Sequence, residues 1–281
     1  MADLEQPIEA ASLAFLDFET TGLDPSRGDR VVEIGLLRTR GQEIEVEYES
    51  LVNPQRPIGY GASRVNHISD QMLVGAPSFV EVADQVLTLL NGTVVVAHNA
   101  MFDLSFLSAE LRLAQRPLPS LVALDTLTLA RNNVTSSGYS LAALCEMYGI
   151  VQDQAHRALA DVYATRELFV RLARLLRRRG VHTVGDFVRA QGGALKDRGG
   201  TAVEVPPLIR DALRTGKLMR IRYRDSYGST TERLIKPVEM SNRFGQLYLV
   251  AHCYLRHAQR TFALDRIQDM AVTDESAPET R

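Results

Sequence analysis

Asp17 and Glu19 in FLDFETTGL, Asp103 in AHNAMFDLSF and Asp161 in HRALADVYAT are acids set where apolar segments begin or end. His156 precedes the last of them by five positions. A buried carboxylate without a partner costs on the order of several kcal/mol, and no Lys or Arg accompanies each of these acids along the chain. A divalent cation is the economical partner, because it turns mutual repulsion into coordination and leaves His156 free for proton chemistry. The combination points to a metal-dependent phosphodiesterase.

Each residue also has a plainer reading. Period-two geometry puts Asp17 and Glu19 on one face of a strand end, where both reach one ion; the plain alternative is neutralisation by a cation such as Arg30. Asn99 stands before a helical segment as its N-cap, and Asp103 falls in the first turn, where negative charge suits the helix dipole. His98 reads as a packed histidine at a strand end. Five positions is the wrong spacing for one helical face, so His156 projects from the loop ahead of the helix that carries Asp161. There its charge change near neutral pH suits it to take a proton from water. The plain alternative is a surface histidine and a solvated acid. Arg166, Arg171, Arg174, Arg177, Arg178 and Arg179 read as a solvated helix face that also suits a helix C-terminus.

The elements that must position these groups follow from periodicity. Leu13 to Phe18, Val31 to Leu37 and Ile44 to Val52 read as strands of an antiparallel meander. Ser78 to Leu90 is helical, Thr93 to Ala97 a β-branched strand and Met101 to Leu113 a helix; Ser140 to Tyr148 and Ala158 to Leu176 complete an α/β layer. A first domain spans 1–180, and 181–202, ending in QGGALKDRGGT, reads as a linker. Beyond it Leu218 to Tyr223, Thr231 to Val238, Gln246 to Cys253 and Thr261 to Leu264 form a β-rich module over 203–273, broken at Tyr227-Gly228 and Phe244-Gly245.

Composition sets the bounds. The 281 residues suffice for two domains, and a formal charge of −2 excludes a globally basic nucleic-acid binder, so such binding must come from local patches. Cys145 and Cys253 sit in apolar runs without metal or redox spacing. The acidic start MADLEQPIEA is no signal peptide, and no window reaches the roughly 20 apolar residues of a membrane span. The expectation is a soluble cytoplasmic protein with no membrane association.

The stretches DFETTGL, AHNAMFDLSFL and HRALADVYAT, in this order and with DTLTLAR between the last two, resemble the three motifs of the DEDDh (DnaQ-like) 3′–5′ exonuclease family, which includes the proofreading subunit of bacterial replicative DNA polymerase. The resemblance covers about residues 11–178. It implies a ribonuclease H-like mixed sheet flanked by helices, and hydrolysis of single-stranded DNA or RNA from 3′ ends to nucleoside 5′-monophosphates. It further implies two Mg²⁺ or Mn²⁺ ions held by Asp17, Glu19, Asp103 and Asp161, with His156 as general base. Thr20, Thr21 and Leu23, with Asn99, are its substrate contacts. DNA is the expected substrate, in repair or turnover. An exoribonuclease, or a nucleic-acid-responsive regulator with weak nuclease activity, is the alternative.

The segment from Val203 to Met270 resembles a WYL domain in RIRYRDSYG, ERLIKPVEM, GQLYLVAHCYLR and RTFALDRI, with Leu247, Tyr248 and Leu249 at the name-giving positions. That resemblance implies a small Sm- or SH3-like β-barrel carrying a nucleotide or nucleic-acid ligand. Arg220, Arg222 and Arg224 alternate along one strand and so share a face, and Tyr248 adds a stacking surface. No apolar tail resembles a polymerase-binding peptide, and Asp274 to Arg281 reads as a disordered end, so polymerase association is possible but not indicated.

Overall fold

In the first half of the chain, apolar residues alternate between two layers, so a sheet with helices on both faces results. The structure is a computed structural model and describes residues 3–152, 156–195, 206–224, 229–243 and 246–273. It divides into two compact units, Met1–Asp197 and Arg198–Arg281.

The first unit is built on strands β1 (Ser12–Thr20), β2 (Val31–Arg40) and β3 (Glu43–Leu51), followed by helices α1 (Tyr60–Asn66) and α2 (Phe79–Leu90), strand β4 (Val94–Ala97) and helix α3 (Met101–Leu113). Strand β5 (Val122–Asp125) then leads into α4 (Thr126–Asn133), α5 (Leu141–Tyr148), α6 (Ala158–Arg177) and α7 (Val184–Ala190). The sheet order is β3-β2-β1-β4-β5. The first three strands are antiparallel, while β4 runs parallel to β1 and β5 parallel to β4. The helical segments 78–90, 101–113, 140–148 and 158–176 lie where periodicity put them, within a residue or two.

Alternation along β1 decides which helices cover which face. Leu13 and Phe15 pack with Val162, Leu168, Phe169 and Leu172 of α6, whereas Ala14, Leu16 and Phe18 pack with Phe79 and Val86 of α2 and Phe106 and Leu107 of α3. Asp17 and Glu19 continue the odd-numbered series and therefore face the α6 side.

Part of the stretch expected to be linker is structured. Thr183 and Asp186 form a capping box at the start of α7, Val184 and Phe187 are buried in the α6-side core, and Pro7 bridges to Thr183. The buried side chain of Gln191 accepts from Asp125 N at 2.9 Å and donates to Ala123 O at 3.1 Å. Its amide thus stands beside β5 as the backbone of another strand would. The first unit accordingly runs to Asp197 and not to 180.

In the second unit, α8 (Pro207–Thr215) buries Ile209 and Ala212 against a sheet of β6 (Leu218–Arg224), β7 (Thr230–Arg243), β8 (Gln246–Cys253), β9 (Ala258–Ala263) and β10 (Ile267–Thr273). The strands are antiparallel in the order β10-β6-β7-β8-β9. Register shifts between Pro237 and Glu239, as suits a proline that has no amide to donate. Among the described residues this five-stranded sheet is open, where the resemblance implied a small Sm- or SH3-like barrel. The breaks expected at Tyr227-Gly228 and Phe244-Gly245 and the tail from Asp274 to Arg281 lie outside the described residues. Among those described, no helix is long and apolar enough to cross a membrane.

Candidate active site

The acids meet at the end of β1. Asp17 and Glu19 are half-buried there, while Leu16, Phe18 and Thr20 between and beside them are buried. Across the β1–β2 pair, Asp17 stands opposite Gly35, and a Cβ on Gly35 would lie 2.4 Å from the Ala158 carbonyl carbon. Only glycine lets the start of α6 come this close to the sheet. The close approach brings Asp161, 8% exposed in the first turn of α6, to the strand's acids. Ligand atoms of Glu19, His156 and Asp161 all lie within 4.8 Å of one another. Asp103 enters from α3, 2% exposed, and its Oδ1 accepts from Phe18 N at 3.0 Å, which ties it to the strand between Asp17 and Glu19.

The electrostatics are those of a site built for cations. Burial, and then repulsion from Asp103, Glu19, Asp161 and Glu33, holds the Asp17 carboxyl well above the usual range. Burial and the charges of Asp161, Glu33 and Asp103 push Glu19 up to about 8, against a hydrogen bond from Asn66 that lowers it. Burial also raises Asp103 well above its ordinary value, and raises Asp161 despite a bond from Gln152 Nε2 at 2.8 Å. Arg30, the cation that offered a metal-free account, is engaged elsewhere: its Nε and a terminal nitrogen donate to Glu110 at 2.8 Å each. Carboxylates gathered in this way fit a divalent ion, which favours every ionised form at once.

His156 is exposed and has a left-handed backbone, φ 67°. Its amide donates to Asp161 Oδ2 at 3.3 Å, so the histidine stands at the rim of the acid cluster and precedes α6, as its spacing requires. His98 is packed instead, with Nδ1 2.9 Å from Thr126 Oγ1 and Nε2 3.1 Å from Tyr139 O, and burial lowers its pKa.

Among the expected substrate contacts, Leu23 is 48% exposed on the loop after β1. Thr20 and Thr21 are buried, and their hydroxyls shape that loop: Thr20 Oγ1 donates to Gly22 O at 2.5 Å, and Thr21 Oγ1 accepts from Arg30 N at 3.0 Å. Asn99 is not the cap of α3, a position taken by Ala100. It adopts φ 71° with its amide donating to Asp125 Oδ1 at 2.7 Å, which turns the chain from β4 into the helix. In the second unit, Arg220, Arg222 and Arg224 are exposed on one face of β6, with Glu232 and Asp269 directly across from Arg222 on the flanking strands. That face carries both signs of charge. Tyr248 is half-buried on β8 opposite Ser241 and Ala263.

Sequence reasoning missed Glu33, Gly35, Asn66, Gln152 and Arg157. A glutamate and a glycine inside the apolar run VVEIGLL were signals in plain view. Asn66, 1% exposed, donates to Thr20 O at 3.3 Å and had no local signature.

Comparison with known proteins bears on this geometry. The family described as Exonuclease (RNase_T) matches residues 14–169, and the WYL domain family matches 204–272. DNA polymerase III subunit epsilon of Treponema pallidum is 37% identical over 164 residues, 57% of this chain and 76% of that protein. DNA polymerase III PolC-type of Thermotoga maritima is 35% identical over 182 residues, 63% of this chain but only 13% of that much longer protein. Among solved structures, Exonuclease X in complex with 5′ overhanging duplex DNA superposes with a TM-score of 0.52 at 27% identity, covering 64% of this chain and 99% of that one. E. coli Exonuclease I in complex with a dT13 oligonucleotide shares the fold, at 18% identity and a TM-score of 0.55 over 85% of this chain and 55% of that one. With its acids gathered at the end of β1 and a WYL domain following, the chain belongs to the DnaQ-like DEDDh exonuclease family.

Proposed function

We propose that the protein is a 3′–5′ exonuclease that removes nucleotides from single-stranded ends, with DNA preferred over RNA, and releases nucleoside 5′-monophosphates in DNA repair or turnover. The observation that carries this reading is the convergence of Glu19, His156 and Asp161 within 4.8 Å at a strand end that carries Asp17 and is bonded by Asp103 of α3. Asp17, Glu19, Asp103 and Asp161 would hold two Mg²⁺ or Mn²⁺ ions. Bound there, such ions would supply positive charge against the phosphodiester and lower the pKa of the attacking water. His156, exposed at the rim, accepts the proton of that water as general base. Leu23, exposed on the loop after β1, offers an apolar surface to the terminal base, and the buried Thr20 and Thr21 hold that loop in shape. The second unit offers Arg220, Arg222, Arg224 and Tyr248 to a nucleotide or to the strand itself.

The test is degradation of single-stranded DNA, duplex DNA and RNA, each labelled at the 3′ or the 5′ end, with Mg²⁺ or Mn²⁺. Immediate release of 3′ label as mononucleotide, fastest on single-stranded DNA and lost in Asp17→Ala, is the expected result. Undiminished release in Asp17→Ala, or internal cleavage, would overturn the assignment, and faster turnover of RNA would overturn the DNA preference.

A further inference from the structure

Glu33 is an acid in an unexpected place. It is 0% exposed near the start of β2 and stands directly across from Glu19, so it shares the face of the acid cluster. Its charge is among the causes that raise Asp17, Glu19 and Asp161. A fifth carboxylate there adds repulsion to a site that already has too much, unless it has another task.

The hydrogen bonds of Glu33 show what occupies it. Oε1 accepts from Arg157 Nε at 2.9 Å and from a terminal nitrogen of the same guanidinium at 2.5 Å, while Oε2 accepts from Ala158 N at 2.9 Å and from Arg157 Nε at 3.2 Å. Both oxygens are taken by the two residues that follow His156. Arg157 is the N-cap position of α6 but provides no capping side chain, and Glu33 supplies the missing acceptor from another strand, with its charge at the positive end of a 20-residue helix. His156 meanwhile holds a left-handed backbone that a residue with a Cβ keeps only when its surroundings enforce it. Its own amide is tethered to Asp161 on one side, and the next residue is gripped by Glu33 on the other.

We infer that the Glu33–Arg157 pair is a positioning device for His156: it fixes the backbone from which the general base projects and takes no part in holding metal. This rests on the reading of His156 as that base. A merely stabilising role explains the pair poorly, because an ion pair with a fully buried carboxylate is often matched in stability by apolar residues.

The test is a double-mutant cycle with His156→Ala, using variants that keep the net charge so that metal affinity is not altered by charge alone. Arg157→Lys retains the cation but loses the planar fork, and Glu33→Gln combined with Arg157→Gln removes both charges. The full-length protein is assayed for kcat and KM on a labelled single-stranded oligonucleotide, and Mn²⁺ binding is followed by electron paramagnetic resonance. Each variant is expected to lower kcat on the order of 10²-fold, the loss typical of a misplaced catalytic group, with KM and Mn²⁺ binding unchanged. In the His156→Ala background neither should cost anything further, because there is no base left to misplace. An equal loss in both backgrounds, a loss of Mn²⁺ binding, or no loss at all would overturn the inference. Full activity of His156→Ala alone would instead remove the general-base assignment on which the inference stands. If the paired variant fails to fold, the lysine variant decides.

Discussion

Gly35 lies directly across the β1–β2 pair from Asp17, and its missing Cβ is the space into which the backbone of Ala158 descends. The two residues divide one task, since the carboxylate supplies charge and the glycine admits the helix that brings Asp161 to it. Gly35→Ala would place a methyl group 2.4 Å from a backbone carbon that cannot rotate away. Overpacking of this kind costs about 1–3 kcal/mol, and α6 must shift with Asp161. Urea unfolding should show that loss, and nuclease activity should fall by more than the unfolded fraction explains. Activity that follows the folded fraction alone would refute the positioning role.

The pH dependence has a definite sign. Glu19 is raised from 4.5 to about 8, and Asp17, Asp103 and Asp161 are raised with it. Carboxyls of this kind stabilise the metal-free fold fully below their unfolded values, and that stability is lost as pH rises through the folded ones. The melting temperature of the metal-free protein should therefore fall between about pH 5 and about pH 8. Mn²⁺ binds the ionised forms, so the increase in melting temperature on its addition should be larger at the upper end of this range than at the lower. Thermal scans with chelator and with Mn²⁺ at both pH values check this, and an equal increase at both would contradict it.

Removing one of the repelling charges should separate stability from function. Asp17→Asn relieves the repulsion that Asp103, Glu19 and Asp161 exert on this position. The metal-free variant should melt a few degrees higher at pH 8, the scale of about 1 kcal/mol in a domain of this size, while nucleotide release is abolished. A lower melting point would mean that Asp17 has an uncharacterised stabilising partner.

His156→Ala should reduce kcat about 10²- to 10⁴-fold, the range for loss of a general base, with little change in the melting point because the side chain is exposed. Kinetics at saturating Mn²⁺ measure it, and partial recovery with added imidazole would support the assignment.

A fragment ending at 197 should behave as the intact first unit, whereas one ending at 180 should not. The shorter piece loses the buried Val184 and Phe187, each contributing about 1.5–3 kcal/mol, together with the Gln191 bonds to Asp125 and Ala123. Its unfolding midpoint in urea should drop sharply, and equal midpoints for the two fragments would count against α7 as part of this unit.

The parts of this architecture that were legible in sequence are those with local causes. The strand bearing Asp17 and Glu19 and the helices bearing Asp103 and Asp161 show their periodicity over nine or more residues. Strand β5 has four residues and lacks the β-branched run that marks the equally short β4, and β10 alternates too weakly to stand out from the turn before it. The capping box of Thr183 and Asp186 was present in HTVGDF, but the helix it starts is only seven residues long and depends on burying Phe187 against Phe169, ring centroids 5.6 Å apart. The grip of Glu33 on Arg157 spans 124 positions of sequence, and no local rule connects them. The open second sheet departs from the implied barrel because its edge strands β9 and β10 each pair on one side only.

The amide of Gln191 alongside β5 has a further consequence for how copies of this protein meet one another. A sheet with two bare margins is a template for strand-to-strand stacking between molecules. On the β3 margin, Glu43, Glu45, Glu47 and Glu49 repeat at every second residue and repel an identical neighbour. The β5 margin has no such row of charge, and there the Gln191 side chain occupies the backbone groups of Ala123 and Asp125 that an incoming chain would need. Loss of Gln191 therefore uncovers an adhesive border as well as loosening the fold, and clumping in concentrated solution is the symptom to expect first.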